Sequence, residues 1–379
     1  MTDRPRRILW IGKRPTNEEE GDEVVDRKTI AACRQQGHHI DLFHPAPVSR
    51  LAEVGNLVLG VPYQRARFAT RANIRSLREM VGGHDVIICS WEPFDWLVTG
   101  LRSPTILITH NISSNGLLSL FPGNPLAGLA SARVRAWERR CYRAQNFAAV
   151  AALSRRDHAY LQSIGAPNPL LLPPGMPPCV SLEPDASVCA EIVVSGTYDW
   201  SPKRRDLIAF AQDYAGRQGR FPVRAHGLPQ QAAALLQPHP LPSDQENRSA
   251  IRFGLITDRF EAGHKLKTLA YIANNQIVLS FADVDFDFVH IPDHDVFIRK
   301  VMSVSDIALN IKLILGMPAS ELRERFIRFK QSAAACFTWE AVGKILMNAA
   351  ETAVAGFPPS ASADHDPVRP APGRRRATD

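Results

Sequence analysis

Nowhere in the 379 residues is there an unbroken apolar run of about 18 residues, so no membrane-spanning helix is encoded. The basic N-terminus, Met1 to Trp10, contains only the short apolar run Ile8–Ile11. That is too little for a signal-peptide core, so it reads as a first strand and a cytoplasmic location is expected. Six cysteines (Cys33, Cys89, Cys141, Cys179, Cys189, Cys336) are scattered without a Cys-x-x-Cys pair. This argues against a zinc ribbon or redox pair and fits thiols kept reduced. No Gly-x-Gly-x-x-Gly follows the first strand, which argues against a nicotinamide-dependent enzyme. The basic stretches lack interleaved aromatics and no nucleic-acid motif accompanies them, so nucleic acid is not an expected partner.

What is present suits two cores. Apolar residues make up 45% of a chain long enough for two domains. The net charge of +7 is confined to one half: residues 1–180 hold 22 Lys/Arg against 15 Asp/Glu, and residues 181–379 hold 23 of each. Much of the surplus lies in Arg65-Arg67-Arg71-Arg75-Arg78 and Arg133-Arg135-Arg139-Arg140-Arg143. Spacings of three and four place many of these on one helical face. Such a face is either simply solvated or turned toward an anionic membrane or a phosphate-bearing acceptor.

Short apolar runs alternate with helix-length segments. Ile8–Ile11, Ile40–Phe43, Val86–Cys89, Thr105–Thr109 and Ala148–Leu153 read as strands, with helices over Asp22–Gln36 and Ala130–Ala144. Buried strands alternating with helices imply a parallel sheet covered on both faces. Pro167, Pro169, Pro173, Pro174, Pro177 and Pro178 then mark a linker or domain edge. The alternation restarts with strands at Ile192–Ser195, Val223–Ala225, Ile251–Ile256 and Ile277–Ser280. Helices are expected over Asp206–Gly216, Lys265–Asn274 and Glu321–Lys330, and a last amphipathic one from Trp339 to about Val354. The expected organisation is an N-terminal Rossmann-like domain (1–178), a C-terminal one (190–336), a closing helix (337–356) and a disordered basic tail (357–379). Two such sheets would face each other across a cleft, since open α/β sheets bind ligands beyond their strands' carboxyl ends.

The stretch Glu261-Ala262-Gly263-His264-Lys265-Leu266-Lys267 runs from a glycine loop into a helix start. Free backbone N–H groups and a positive dipole end there suit a phosphate, with Lys265 and Lys267 adding charge. A solvated helix start is the plainer alternative. Gly196, in Ser195-Gly196-Thr197-Tyr198-Asp199-Trp200-Ser201-Pro202, lets the backbone approach a ligand. Lys203, Arg204 and Arg205 follow as cations for a diphosphate.

These segments resemble the GT-B glycosyltransferases, in particular the large retaining glycosyltransferase family 4. The family's donor-binding stretch runs Glu, seven residues, Glu-Ala, a small-residue turn, then Pro-Val-Val. Glu261 matches the first Glu, Ala270 the Ala, and Ile277-Val278 the Val-Val. The second Glu, which holds the nucleotide ribose in the family, falls on Leu269. The Gly196 segment is similar to the loop opening the family's donor domain, with Thr197 where an Arg is common. His110-Asn111, Glu138-Arg139, Ser154-x-x-Asp157 and Pro173-Pro174-Gly175 follow the order of the N-terminal domain and hinge. Phe337-Thr338-Trp339 is like the Phe-x-Trp opening the closing helices. The usual Gly-Gly loop is replaced by Gly12-Lys13-Arg14-Pro15 and Glu18-Glu19-Glu20-Gly21.

The resemblance implies sugar transfer from a nucleotide-diphosphate donor to a glycan or lipid-linked acceptor, with no cofactor and no metal. It implies a donor set of Gly196, Lys203, Arg204, Glu261, Lys265 and Lys267. His110, at a strand end, is the first candidate for the chemical step; Glu92 and Asp95, just after another strand, are the other candidate bases. Asp283, Asp285, Asp287, His290, Asp293, His294 and Asp295 have metal-ligand residue types, but their spacing fits neither a calcium loop nor a zinc helix. Two other readings share the resemblance: a catalytically inactive nucleotide-sugar binding protein and a nucleotide-sugar epimerase of related fold.

Overall fold

The computed structural model describes residues 4–15, 21–58, 63–68, 70–120, 125–143, 147–217 and 221–357. The expected tail lies outside these residues from position 358 onward, as does Glu18-Glu19-Glu20.

The first half forms six strands: β1 (Arg7–Ile11), β2 (His39–Phe43), β3 (Val86–Ser90), β4 (Thr105–Thr109), β5 (Ala149–Ala152) and β6 (Pro169–Leu171). They make one all-parallel sheet in the order β2-β1-β3-β4-β5-β6. Side chains alternate between its faces. Leu9, Ile11, Ile87 and Cys89 pack into one core, while Ile8, Trp10, Val86 and Ile88 pack into another. Burial on both faces is why these strands read as continuous apolar runs. The proline stretch contributes the edge strand β6, where Pro169 takes no interior ladder position.

The second half forms β7 (Ser187–Val194), β8 (Val223–Ala225), β9 (Ala250–Ile256), β10 (Gln276–Ser280) and β11 (Ile298–Lys300). They make a second parallel sheet in the order β11-β10-β9-β7-β8. In each sheet the strand order reverses once, between β1 and β3 and between β7 and β9. Those two crevices are where a doubly wound sheet takes its ligand.

The last helix, Trp339–Gly356, returns to the first sheet, where Val342, Leu346, Met347 and Ala350 complete one core. It lies tight on the helix Gly21–Gln35: a Cβ at Gly343 would stand 3.1 Å from Ala32 Cβ and 2.6 Å from Gln36 Nε2. The two passages between halves run side by side, with Met176 N donating to Phe337 O at 2.8 Å.

Nine of the eleven described strands overlap the apolar runs of the sequence, whereas several helices, Arg50–Val58 and Val304–Leu315 among them, have no counterpart there. The arginines of 71–78 lie on the helix Arg71–Val81, which Thr70 caps by accepting from Asn73 N. The three-residue β11 carried no legible pattern.

Candidate functional site

At the β7/β9 crevice, two helices begin with cations where the helix dipole disfavours them. Lys203, Arg204 and Arg205 occupy the first turn of Ser201–Ala215, and Lys265 and Lys267 open Leu266–Ala273; neither first turn carries an acid. Cations at two positive dipole ends are tolerable when an anion sits between them. Gly196 follows β7 with φ of 126°, a left-handed backbone that favours glycine. A Cβ there would lie 2.7 Å from Lys267 Nζ. Lys267 Nζ also stands 4.9 Å over the Tyr198 ring and 4.0 Å from Asp258 Oδ1. Lys265 Nζ stands 4.6 Å over the Phe260 ring and donates to Ala262 O at 3.3 Å. Burial lowers both lysine pKa values, that of Lys265 to about 8, with Lys203 and Lys267 adding repulsion. Two buried polar atoms close by, Asp258 Oδ1 and Thr268 Oγ1, have no hydrogen-bond partner among the described residues. Orphaned buried polar groups beside desolvated cations mark a ligand cradle.

The first turn of the helix Arg155–Ser163 joins the halves through three consecutive residues. Arg155 N donates to Asp287 Oδ1 at 2.7 Å, and Asp157 Oδ2 accepts from Gly263 N at 3.0 Å. Between them, Arg156 reaches Glu261 at 3.2 Å and Asp283 at 3.1 Å. Gly263 has φ of 67°, and a Cβ there would stand 2.7 Å from His110 O. The donor-side glycine loop thus abuts the end of β4.

His110 lies at that end, buried, with Nε2 3.0 Å from Ser90 Oγ and 3.5 Å from Asp26 Oδ1. Ser90 Oγ donates to Asp26 Oδ1, and His110 N donates to Glu92 Oε2 at 3.3 Å. Burial opposes charge on the ring, but Asp26, with Asp22 and Glu92, overrides it and raises the His110 pKa. Glu92 is enclosed, and burial pushes its carboxyl up to about 7.

The structure therefore brings Gly196, Lys265 and Lys267 together at one crevice and His110 with Glu92 at the other. Glu261 lies at the seam, held by Arg156 and by Lys300 at 3.3 Å. Arg204 Nε donates to Tyr198 O at 3.2 Å, which braces the loop after Gly196. Asp95 does not join His110: its buried carboxylate is taken by Arg65, which stacks on Trp137 at 5.0 Å. Leu269 points into the apolar core beneath the second sheet, with Ile272 and Ile277. The aspartates after β10 have separate partners: Asp287 with His264 at 2.9 Å, Asp293 with Arg325 at 2.6 Å and Asp285 with His294 at 3.5 Å. Among the described residues, no three His, Cys, Asp or Glu side chains converge as metal ligands. Asp26, Ser90, Asp157 and Asp258 were not singled out from sequence as site residues. Only Ser154-x-x-Asp157 left a local signal, and it is the cap of its helix.

No protein-family model and no curated protein sequence matches the chain. Solved structures do. Sucrose-phosphate synthase from Thermosynechococcus elongatus is 15% identical with a TM-score of 0.59, over 92% of this chain and 99% of that one. A glycosyltransferase from Rickettsia africae ESF-5 is 11% identical with a TM-score of 0.58, over 93% and 99%. A trehalose-6-phosphate protein from E. coli, bound with UDP-2-fluoro glucose, is 12% identical with a TM-score of 0.54, over 91% and 99%. At these identities the likeness is one of fold: an α/β, GT-B architecture of two Rossmann-like units facing across a cleft.

Proposed function

We propose that the protein transfers a sugar from a nucleotide-diphosphate donor to a hydroxyl of a glycan or lipid-linked acceptor, without a metal. The observation that carries this reading is the seating of Lys267 over Gly196, with Lys265 beside it, at the β7/β9 crevice. Desolvated ammonium groups and helix N-termini would offset charge developing on a departing diphosphate, the part a metal plays elsewhere. The trehalose-6-phosphate protein of the same fold carries UDP-2-fluoro glucose, a donor of this chemical class. The backbone of His110 abuts the donor-side Gly263 loop, and its ring would meet a sugar or acceptor hydroxyl. The exposed arginines 71, 75 and 78, which line one groove, suit a phosphate-bearing acceptor or the headgroups of an anionic membrane facing the cytoplasm.

Calorimetric titration with UDP, GDP and dTDP in the presence of EDTA tests the reading, followed by turnover of the matching sugar nucleotides. Binding that survives EDTA and turnover into a glycoside support it. No binding of any nucleotide diphosphate removes it. Binding without turnover leaves the nucleotide-sugar binding protein, and conversion of donor into its sugar epimer leaves the epimerase.

A further inference from the structure

Three side chains from three separate elements meet at one ring nitrogen. Asp26 comes from the helix Gly21–Gln35, Ser90 ends β3, and His110 follows β4. The proton count around His110 Nε2 is decisive. Ser90 has one hydroxyl proton, and it is given to Asp26 Oδ1. Ser90 Oγ therefore offers Nε2 only lone pairs, at 3.0 Å. The Asp26 carboxylate, 3.5 Å away, also only accepts. Two acceptors facing one nitrogen require that nitrogen to carry the hydrogen. The neutral ring is then the Nε2–H tautomer, with its lone pair on Nδ1. No described residue hydrogen-bonds Nδ1.

The surroundings enforce this arrangement. Gly12 leaves room for the carboxylate, since a Cβ there would stand 2.8 Å from Asp26 Oδ2. Trp91, between Ser90 and Glu92, has φ of 107°, a strained backbone for a non-glycine residue. That turn lets Ser90 reach the ring while Glu92 accepts the His110 backbone N–H at 3.3 Å. Backbone strain at a strand end is characteristic of sites rather than of cores. The charged groups around the ring are Asp26 and Asp22 from the first helix and Glu92 from the turn after β3; Lys13, after β1, pairs with Asp22 at 3.5 Å. The balance is acidic, which favours the imidazolium once formed.

We infer that Asp26, acting directly and through Ser90, is a positioning residue that fixes His110 as the Nε2–H tautomer, so that Nδ1 accepts the hydrogen of a substrate hydroxyl. The inference rests on His110 belonging to the sugar-transfer site proposed above. Asp26 touches no substrate in this scheme. It orients the ring and stabilises the positive charge that Nδ1 gains, as a carboxylate behind a catalytic histidine does.

The test is a nitrogen-15 NMR titration of the full chain, with the His110→Gln variant identifying the His110 signals. The wild type is expected to show Nε2–H in the neutral ring. In Asp26→Asn the amide can donate to Nε2, which moves the hydrogen to Nδ1 and lowers the ring pKa. Asp26→Glu is expected to restore the Nε2–H form. With any sugar nucleotide that is turned over, Asp26→Asn is expected to lower kcat at least about tenfold with little change in donor KM. A wild-type Nδ1–H tautomer, or an Asp26→Asn ring with unchanged tautomer and pKa, overturns the inference. The NMR readout needs no donor, so its failure is distinct from a failure to bind nucleotide diphosphates.

Discussion

Lys267 occupies the space that a side chain at Gly196 would need, its Nζ only 2.7 Å from the position of a Cβ. In sequence these residues are separated by β8, β9 and three helices, and the β7/β9 crevice reunites them. Gly196→Ala is therefore expected to act twice. The φ of 126° costs alanine about 1–3 kcal/mol of stability, and the methyl displaces Lys267 from its seat. Lys267→Ala is expected to weaken nucleotide-diphosphate binding by about 2 kcal/mol, roughly 30-fold, as for a lost charge-assisted contact. Calorimetry on both variants checks this. Unchanged affinity in Lys267→Ala takes that residue out of the site.

Lys265 gives the same site a pH signature. Its pKa near 8 sits below the 10.5 of an exposed lysine because burial and the neighbouring cations disfavour its charge. An arriving diphosphate favours the charged form, so binding near pH 8 is expected to take up protons. Affinity is then expected to fall as pH rises from about 7 to 9, and Lys265→Arg, which stays charged, should flatten that fall. Stability has the opposite sign. Between 8 and 10.5 the unfolded chain holds the extra proton, so this group's contribution to stability rises with pH. Titrations in two buffers of different ionisation enthalpy measure the uptake directly.

The two-sheet architecture was legible because strands buried on both faces leave unbroken apolar runs, such as Thr105–Thr109, which is a strand over the same residues. The lysines at 265 and 267 were legible because a helix start is a local pattern. Asp26 was not, since nothing near it in sequence distinguishes it from Asp22, four residues earlier on the same helix. Its role comes from strand order, which lays β1 beside β3 and brings Ser90 and His110 up to that helix. Asp95 shows the converse. Its place after a strand looked functional, but Arg65, thirty residues earlier, takes its carboxylate. Leu269 lies on the face of Leu266–Ala273 that is turned to the core.

The cysteines should divide by location. Cys33, Cys89 and Cys141 are buried, while Cys179 and Cys336 are exposed and Cys189 lies between. Burial raises the buried thiols well above the usual range, Cys33 to about 12, which suppresses the reactive thiolate. Under native conditions an aromatic disulfide reagent is expected to modify Cys179 and Cys336 first. Cys33, Cys89 and Cys141 should react only on unfolding. Rapid native modification of any of those three contradicts the packing described here.

Glu92 offers a test that separates structure from chemistry. Burial pushes its carboxyl to about 7 from 4.5, and its Oε2 accepts the His110 backbone N–H. The folded chain therefore holds a proton between 4.5 and 7 that the unfolded chain has lost. Stability from this group is full below 4.5 and declines as pH rises through 7, by about 3 kcal/mol in all. Glu92→Gln keeps an oxygen for the His110 N–H but never ionises. Its stability is expected to exceed that of the wild type at pH 8 and to approach it near pH 5, read from urea unfolding. Parallel wild-type and variant pH profiles would mean that Glu92 ionises at the same pH in the folded and unfolded chain, so that burial does not perturb it. Turnover by the same variant decides its chemical role. If Glu92 only braces His110, Glu92→Gln retains activity, whereas a general base at this position would lose it.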